Sequence, residues 1–442
     1  MHPQLILLLA GLAAVALPAS VRAERWTLER AVATALEHSP DARIARARID
    51  AARAVADQAQ AAWRPQLSVR GSYAGTDSPM MAFGSILNQR AFHFGLDFNH
   101  PGTIDNLNAT GTVAYNLYSG GRATAGRTAA RAGAIAADHD FQAARHQLAA
   151  EVVKAALNLH KAREAAAALE SGVKAYDSAV NAARARFDAG QLLKADRLSL
   201  EVQLAQTRAS LSAARHGAAL AERAFRYTLG LEPADESVEF AFDDPAIAQL
   251  TPPATGDFSG RPELRGLEER AHAAEAMVTA ARSGRRPSVN AFASYQYDHG
   301  WKLDRGADSW LAGVSVDLNI FDGGQTTGKI RQAAAEFTQV KEQLRKVNLG
   351  IGLEVEQARL AHANAVEQLA VTASAVEQAE ESASLSRARF EREALLTADL
   401  IGAESRLLEA RLRRTVAAAD ERIAVIELRR ALGLSPIESP NP

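Results

Sequence analysis

The chain has 442 residues, of which 47% are hydrophobic and 23% charged, and its formal net charge is −2. This apolar content is enough for a large folded protein and argues against disorder, while the near-neutral charge gives no basic surface for a nucleic-acid partner. The absence of cysteine excludes disulfides, cysteine-based zinc sites, a thiol nucleophile and a lipidated cysteine.

The first segment has the pattern of a secretory signal. An apolar run spans Leu5 to Pro18, and Val21-Arg22-Ala23 follows as a small-x-small cleavage site. The run is shorter than the ~20 residues that cross a bilayer as a helix, and no later stretch is longer. The sequence therefore predicts that residues 1–23 are a signal peptide, that the protein is exported, and that any membrane insertion uses a β-barrel.

The rest of the chain contains the same sequence landmarks twice in the same order, which is the pattern of an internal repeat. Two predicted helices share their first and last landmarks at a constant offset of 222 residues. These landmarks are Ser39-Pro40-Asp41 and Trp63-Arg64-Pro65 in the first copy, and Arg261-Pro262-Glu263 and Arg285-Arg286-Pro287 in the second. Three later pairs share an offset of 203: 118–121 with 321–324, 184–187 with 387–390, and 229–231 with 432–434.

The change of offset from 222 to 203 gives the first copy 19 extra residues. They fall around 78–102, a stretch rich in Phe, Gly and Asn that we interpret as a long loop. The predicted organisation has two repeats, a linker and a tail. These are a first repeat at 24–231 with a β-hairpin at 66–119 and long helices at 121–229, a linker at 232–261, a second repeat at 262–434 with a β-hairpin at 288–321 and long helices at 324–432, and a C-terminal tail at 435–442.

Two periodicities distinguish strands from helices in each repeat. In the second hairpin, apolar Val314, Val316, Leu318 and Ile320 alternate with polar residues, which is the pattern of a strand with one apolar face. Between Ala155 and Phe187, apolar residues recur at spacings of 4 and 3, which predicts coiled-coil packing of a very long helix.

Four strands in one chain are too few to close a barrel, and open edges are not tolerated in a bilayer. Closure therefore requires several chains. Two chains would supply about eight strands and a filled interior, whereas three would supply about twelve and leave room for a lumen. This reasoning leaves the number of subunits open.

The ordered landmarks carry a resemblance to a known family. From about Glu24 to Leu434, the chain resembles the TolC-like outer-membrane efflux proteins. The features that carry it are the Arg-Pro steps before each first strand, the Gly-Gly joints at 120–121 and 323–324, the Arg-Ala-Arg-Phe sequences, and the Leu-Gly-Leu endings. Each motif alone is weak evidence for this resemblance, whereas the occurrence of all of them in the same order in both copies is strong evidence.

The resemblance implies a mainly α-helical protein with a membrane β-barrel. Three chains would share a barrel of about twelve strands, four from each chain, and coiled-coil helices would form a periplasmic tunnel. The expected partners are two further copies, a periplasmic adaptor protein, an inner-membrane transporter and outer-membrane lipid. The expected function is a passive exit duct for a tripartite efflux pump or a type I secretion system. The alternative is a periplasmic coiled-coil adaptor or structural rod without a pore.

The resemblance also suggests where the channel entrance lies. Asp196 and Asp399 follow the break after each Arg-Ala-Arg-Phe sequence and match at an offset of 203. Asp399 falls where the family has its first entrance aspartate, Gly402 replaces the second, and Leu395 and Phe390 replace polar residues that lock some members shut. We therefore predict that both aspartates line the periplasmic entrance. The alternative is that each only stabilises the positive end of the helix that it begins.

Other motifs give no catalytic, cofactor or metal site. Residues 323–329 match a phosphate-binding loop except that Ile330 replaces the hydroxyl residue that binds magnesium. His93, Asp97 and His100 have ligand-like spacing, but we interpret 78–102 as a surface loop. This segment and 300–308 are both predicted to face the cell exterior, because each joins two strands on the side away from the helices.

Overall fold

The structure is a computed structural model that describes residues 25–232, 238–240, 251–253 and 256–436. The predicted signal peptide, much of the predicted linker and most of the predicted tail lie outside the described residues. None of the described helices combines the length and the apolar character needed to cross a bilayer.

The described elements follow one order in both halves of the chain. The first half contains β1 (Arg25–Trp26), α1 (Leu28–His38), α2 (Pro40–Ala61), β2 (Gln66–Thr76), α3 (Pro79–Asn88), β3 (Ile104–Tyr118), α4 (Arg122–Asp188) and α5 (Lys194–Thr228). The second contains β4 (Glu239–Phe240), α6 (Pro262–Arg282), β5 (Ser288–Gly300), β6 (Arg305–Asp317), α7 (Gln325–Glu391) and α8 (Thr397–Ala431).

The helices α4 and α7 dominate the molecule. Each has 67 residues, which corresponds to about 100 Å at 1.5 Å per residue. They begin after Gly121 and Gly324, whose φ angles of 95° and 89° turn the chain out of the sheet and into the helix. The helices α5 and α8 have 35 residues each and pack back along α4 and α7 as antiparallel hairpins.

The four long strands form one antiparallel sheet in the order β2-β3-β5-β6. The register places alternate residues of each strand on one face, which is mainly apolar and includes Leu67, Val69, Tyr73, Leu107, Val113, Tyr115, Val289, Ala291, Tyr295, Trp310, Val314 and Val316. The opposite face is mainly polar and includes Ser68, Arg70, Ser72, Asn106, Asn108, Thr110, Thr112, Asn290, Ser294, Gln296 and Asp298. The apolar face is open to the surroundings, with Val69 79% and Trp310 76% exposed.

The predicted loop at 78–102 contains a helix, so that interpretation was wrong in part. Pro79 occupies the first turn of α3, where a missing N–H costs nothing, and Ala82 and Ile86 bury one face at a spacing of four. The other predicted loop, 300–308, shrinks to residues 301–304, because β5 and β6 pair as far as Gly300 and Arg305. At its far end β6 stops at Asp317, before the Gly-Gly joint.

A network of ion pairs joins α4, α7 and α8 to the start of α6. It lies near the C-terminal end of α8. Lys154 on α4 lies 2.5 Å from Glu427 on α8, and Arg430 contacts both Glu427, at 2.8 Å, and Glu354 on α7, at 2.6 Å. Arg261, just before α6, completes it with a 2.7 Å contact to Glu354. The side chain of Arg261 is almost fully buried, so this network is a structural tie and not a solvated surface.

Candidate functional site

The two long helical hairpins meet at the end farthest from the sheet. We call this region the helical tip: the turns 189–193 and 392–396 with the helix ends that adjoin them. Its apolar core, the tip cluster, draws residues from both hairpins: Tyr176, Val180, Ala183, Leu200, Leu204, Phe390 and Leu400. The tip therefore packs as one unit in a single chain, although its two turns are 203 residues apart.

Polar contacts also tether one hairpin to the other. The hydroxyl of buried Tyr176 donates to the carbonyl oxygen of Ile401 at 3.3 Å and lies 2.8 Å from Ser405 Oγ. Burial raises the pKa of the Tyr176 phenol, so it stays protonated as a donor. Arg186 Nη1 donates to the carbonyl oxygen of Phe390 at 3.2 Å, and its guanidinium carbon lies 4.9 Å from the centre of that ring. These tethers resist separation of the two hairpins.

Each hairpin has its own clamp of charged residues. Arg184 on α4 contacts Glu201 on α5 at 3.2 Å, and Arg387 contacts Glu404 through two bonds of 2.5 and 2.8 Å. The second pair repeats the first at an offset of 203, and its Glu404 side chain is nearly buried.

A second set of clamps follows the same offset, with Arg208 bound to Asp177 and Arg411 bound to Glu380. These pairs were not predicted from the sequence, although an acidic and a basic residue that recur together at an offset of 203 are a signal that the sequence contains.

Asp196 and Asp399 occupy equivalent places at the tip. Each is the third residue of its helix, and its backbone N–H donates to the carbonyl oxygen of Leu193 or Leu396 at 3.1 Å. Asp399 is exposed and Asp196 is partly buried. Leu200 and Leu400, which begin the packing of these helices, both belong to the tip cluster. The structure therefore brings both predicted entrance residues to one end of the molecule.

Two of the motifs that gave no site in the sequence, the one at 323–329 and the one around Asp97, have a carboxylate that binds nearby backbone N–H groups. The carboxylate of Asp322 accepts backbone N–H groups of Gly324 at 3.0 Å and Thr326 at 2.8 Å. It thus occupies the start of α7, where a phosphate would bind. In the same way, Asp97 accepts the N–H groups of Asn99 and His100, and these backbone bonds lower the pKa of its carboxyl.

Comparison with known proteins identifies the family. The model of the outer membrane efflux protein family matches residues 31–231 and 259–434. The outer membrane efflux protein BepC of Brucella suis is 27% identical over 226 residues, which are 50% of this chain and 47% of BepC. The chain thus matches about half the length of that relative. Protein CyaE of Bordetella pertussis is 27% identical over 357 residues, 77% of this chain and 70% of CyaE.

A solved structure shows the same fold over nearly the whole chain. The outer membrane protein VceC of Vibrio cholerae superposes with a TM-score of 0.77 at 20% identity, covering 92% of this chain and 96% of VceC. Together with the family match, which spans both repeats, this likeness accounts for the paired hairpins, the sheet and the long helices. The chain belongs to the outer membrane efflux protein family.

Proposed function

We propose that three copies of this chain form an outer-membrane channel-tunnel that serves as the passive exit duct of a tripartite efflux pump or a type I secretion system. The observation that carries the proposal is the open sheet. Within the described part of the chain, its edge strands β2 and β6 each pair on one side only, and one of its faces is apolar and exposed. Such edges and such a face need partners.

Closure by three sheets supplies those partners. Twelve strands spaced about 4.8 Å apart and tilted by about 40° enclose a bore of about 24 Å between backbones. The apolar face would contact lipid, and the polar face, with residues such as Thr110 and Ser294, would line a hydrated lumen. The helices continue from the sheet and would extend the lumen into the periplasm.

The helices support assembly for a separate reason. On α7, Leu349, Leu353 and Leu360 form an exposed stripe at spacings of four and seven. On α5, Leu220 and Tyr227 form another exposed stripe. Packing of neighbouring subunits would cover both stripes. A periplasmic rod without a pore would leave the apolar face of the sheet uncovered, which disfavours that alternative.

In this proposal the helical tip is the periplasmic entrance, and Asp196 and Asp399 line it. Three chains would bring six carboxylates to one ring and favour cations there. The duct has no chemistry of its own, so transport energy comes from the expected inner-membrane transporter, and substrate choice belongs largely to that pump.

The test is fractionation followed by electrophysiology. We expect the protein in the outer membrane as a heat-sensitive oligomer that conducts in steps when added to planar bilayers. A soluble monomer, or a purified oligomer that conducts under no condition, would contradict the proposal.

A further inference from the structure

The helix α3 lies against the polar face of the sheet, at the end away from the long helices. Ile104 of β3 is buried against Ile86 of α3. Gln89, just after α3, donates through Nε2 to the carbonyl oxygen of Asp105 and to Asn106 Oδ1, both at 2.8 Å. Ile104 and Asn106 share their parity with the polar-face residues of β3. The apolar face therefore does not carry α3.

Residues of the neighbouring strands β5 and β6 also hold α3 in this position. Gln89 is fully buried, and a side chain on Gly300 would place its Cβ 2.3 Å from Gln89 Oε1. Only glycine at 300 leaves room for this contact. Arg90 Nη2 reaches across to β6 and donates to the carbonyl oxygen of Asp308 at 3.2 Å. The start of the segment that follows α3 is therefore fixed to both β3 and β6.

The side of this segment away from the sheet is apolar and uncovered. Phe94 is 99% exposed and Met80 is 81% exposed. Phe83, Phe92 and Phe98 pack against one another in the same segment, with ring centres 4.8 to 6.3 Å apart. A fixed apolar surface of this kind needs a cover, and the polar face that carries it points towards the lumen in the proposed trimer.

The width of the barrel identifies that cover. Three cylinders of about 10 Å diameter, the width of a helix with its side chains, need a circle about 22 Å across. The proposed bore is about 24 Å wide between backbones and narrower between side chains, so three copies of α3 at its outer mouth would be forced into contact with one another. The exposed residues of each copy would then face those of the other two.

We infer that α3 and residues 89–98 of the three subunits meet at the outer mouth and form a second constriction, with Met80 and Phe94 as its apolar lining. The inference rests on the proposed trimer. Flexible methionine and aromatic side chains favour passage of solutes with apolar surface over hydrated ions. These residues would therefore help to determine what leaves the duct, independently of the acidic entrance at the other end.

Cross-linking tests the contact directly. The chain has no cysteine, so single-cysteine variants report one position each. In outer membranes, we expect a short bis-maleimide to join subunits of Met80→Cys and Phe94→Cys into covalent dimers. The matched control is Val69→Cys, which is equally exposed but lies on the apolar face and should stay unlinked. An intact oligomer in which neither position 80 nor position 94 links subunits would overturn the inference.

Accessibility from outside tests the constriction. Ser294→Cys places a thiol on the polar face in the middle of β5. On intact cells, we expect a bulky maleimide to label it slowly, and to label it much faster when residues 79–101 are replaced by a short Gly-Ser turn. Equal labelling of the two oligomers would overturn the inference. Failure of the unmodified chain to form any oligomer would instead contradict the proposed function.

Discussion

Glu393 has a backbone conformation that the first repeat gives to a glycine. Its φ is 62°, and Gly190 at the equivalent position has a φ of 76°. Both turns close with the same two bonds, because the N–H groups of Gly190 and Gln191 and those of Glu393 and Ala394 bond back to equivalent carbonyls. A side chain in the left-handed region costs about 1 kcal/mol, so the second turn is strained where the first is not.

We expect Glu393→Gly to stabilise the second hairpin by about 1 kcal/mol, because it removes this strain. The measurement is the thermal midpoint of the solubilised oligomer, together with hydrogen exchange at the turn. The matched change Gly190→Ala should act in the opposite direction by a similar amount. A lower midpoint for Glu393→Gly would show that the Glu393 side chain has a compensating role at the tip.

Asp399 tests the assignment of the entrance. If its carboxylate lines the mouth, Asp399→Asn should reduce cation selectivity and block by divalent cations in single channels, since it removes three like charges from one ring. If the residue only stabilises the start of α8, the variant should lose at most about 1 kcal/mol of stability and keep its selectivity. Unchanged selectivity and block in a well-folded oligomer would reject the lining role.

At the scale of elements, the contact between the two hairpins holds the two turns of the helical tip together. Tyr176→Phe keeps the ring in the tip cluster but removes the bonds to Ser405 and Ile401. We expect it to weaken the contact between the two hairpins by about 1 kcal/mol and to raise the open probability of single channels. Tyr227→Phe is the matched control, because that residue lies at the other end of α5 and is not part of the tip tethers. Equal open probabilities in the two variants would contradict a role for this tether.

The ion-pair network near Arg261 predicts a pH dependence. Burial alone would raise the pKa values of Glu263 and Glu427, but hydrogen bonds from Arg261 to the first and from Lys154 and Arg430 to the second outweigh it and lower both. A carboxyl whose pKa is lower in the folded state than in the unfolded state stabilises the fold at pH values above its unfolded-state pKa, which is near 4.5. This stabilisation is lost as the pH falls through the pKa of the folded state.

We therefore expect unfolding of the solubilised oligomer to become easier as the pH falls below about 4.5. Arg261→Ala should cost about 2–3 kcal/mol at neutral pH, because it leaves Glu263, Glu354 and the Ala431 carbonyl without their shared donor. It should also weaken the acid dependence. Unfolding of the unmodified protein that is independent of pH down to 3 would contradict this account of the network.

At the scale of the whole molecule, much of the fold was predictable because it follows from periodicity. Heptad spacing predicts the long helices, alternation predicts the two faces of the sheet, and the repeated landmarks predict that both halves share one architecture. The structure bears these patterns out through α4, α7 and the strand register. Signals that recur along the chain are averaged over many residues, so single departures do not obscure them.

The features that the sequence did not predict depend on contacts between residues that are far apart in the sequence. The short helix α3 carries only two buried apolar positions, and its fixation by Gln89 requires Gly300, which lies in the other repeat. The Arg186 tether likewise crosses between hairpins. No local sequence pattern indicates such a contact. The strain at Glu393 is visible only as a missing glycine, a difference that the sequence shows without its conformational consequence.

The central claim is that three copies of this chain enclose one continuous water-filled path. Single-channel recording of the purified, cross-linked oligomer in planar bilayers tests it most directly. We expect discrete conductance steps that belong to the species with the mass of three chains and that disappear when it is heated into monomers. Conductance that survives dissociation, or an intact oligomer of another size that conducts, would contradict the account.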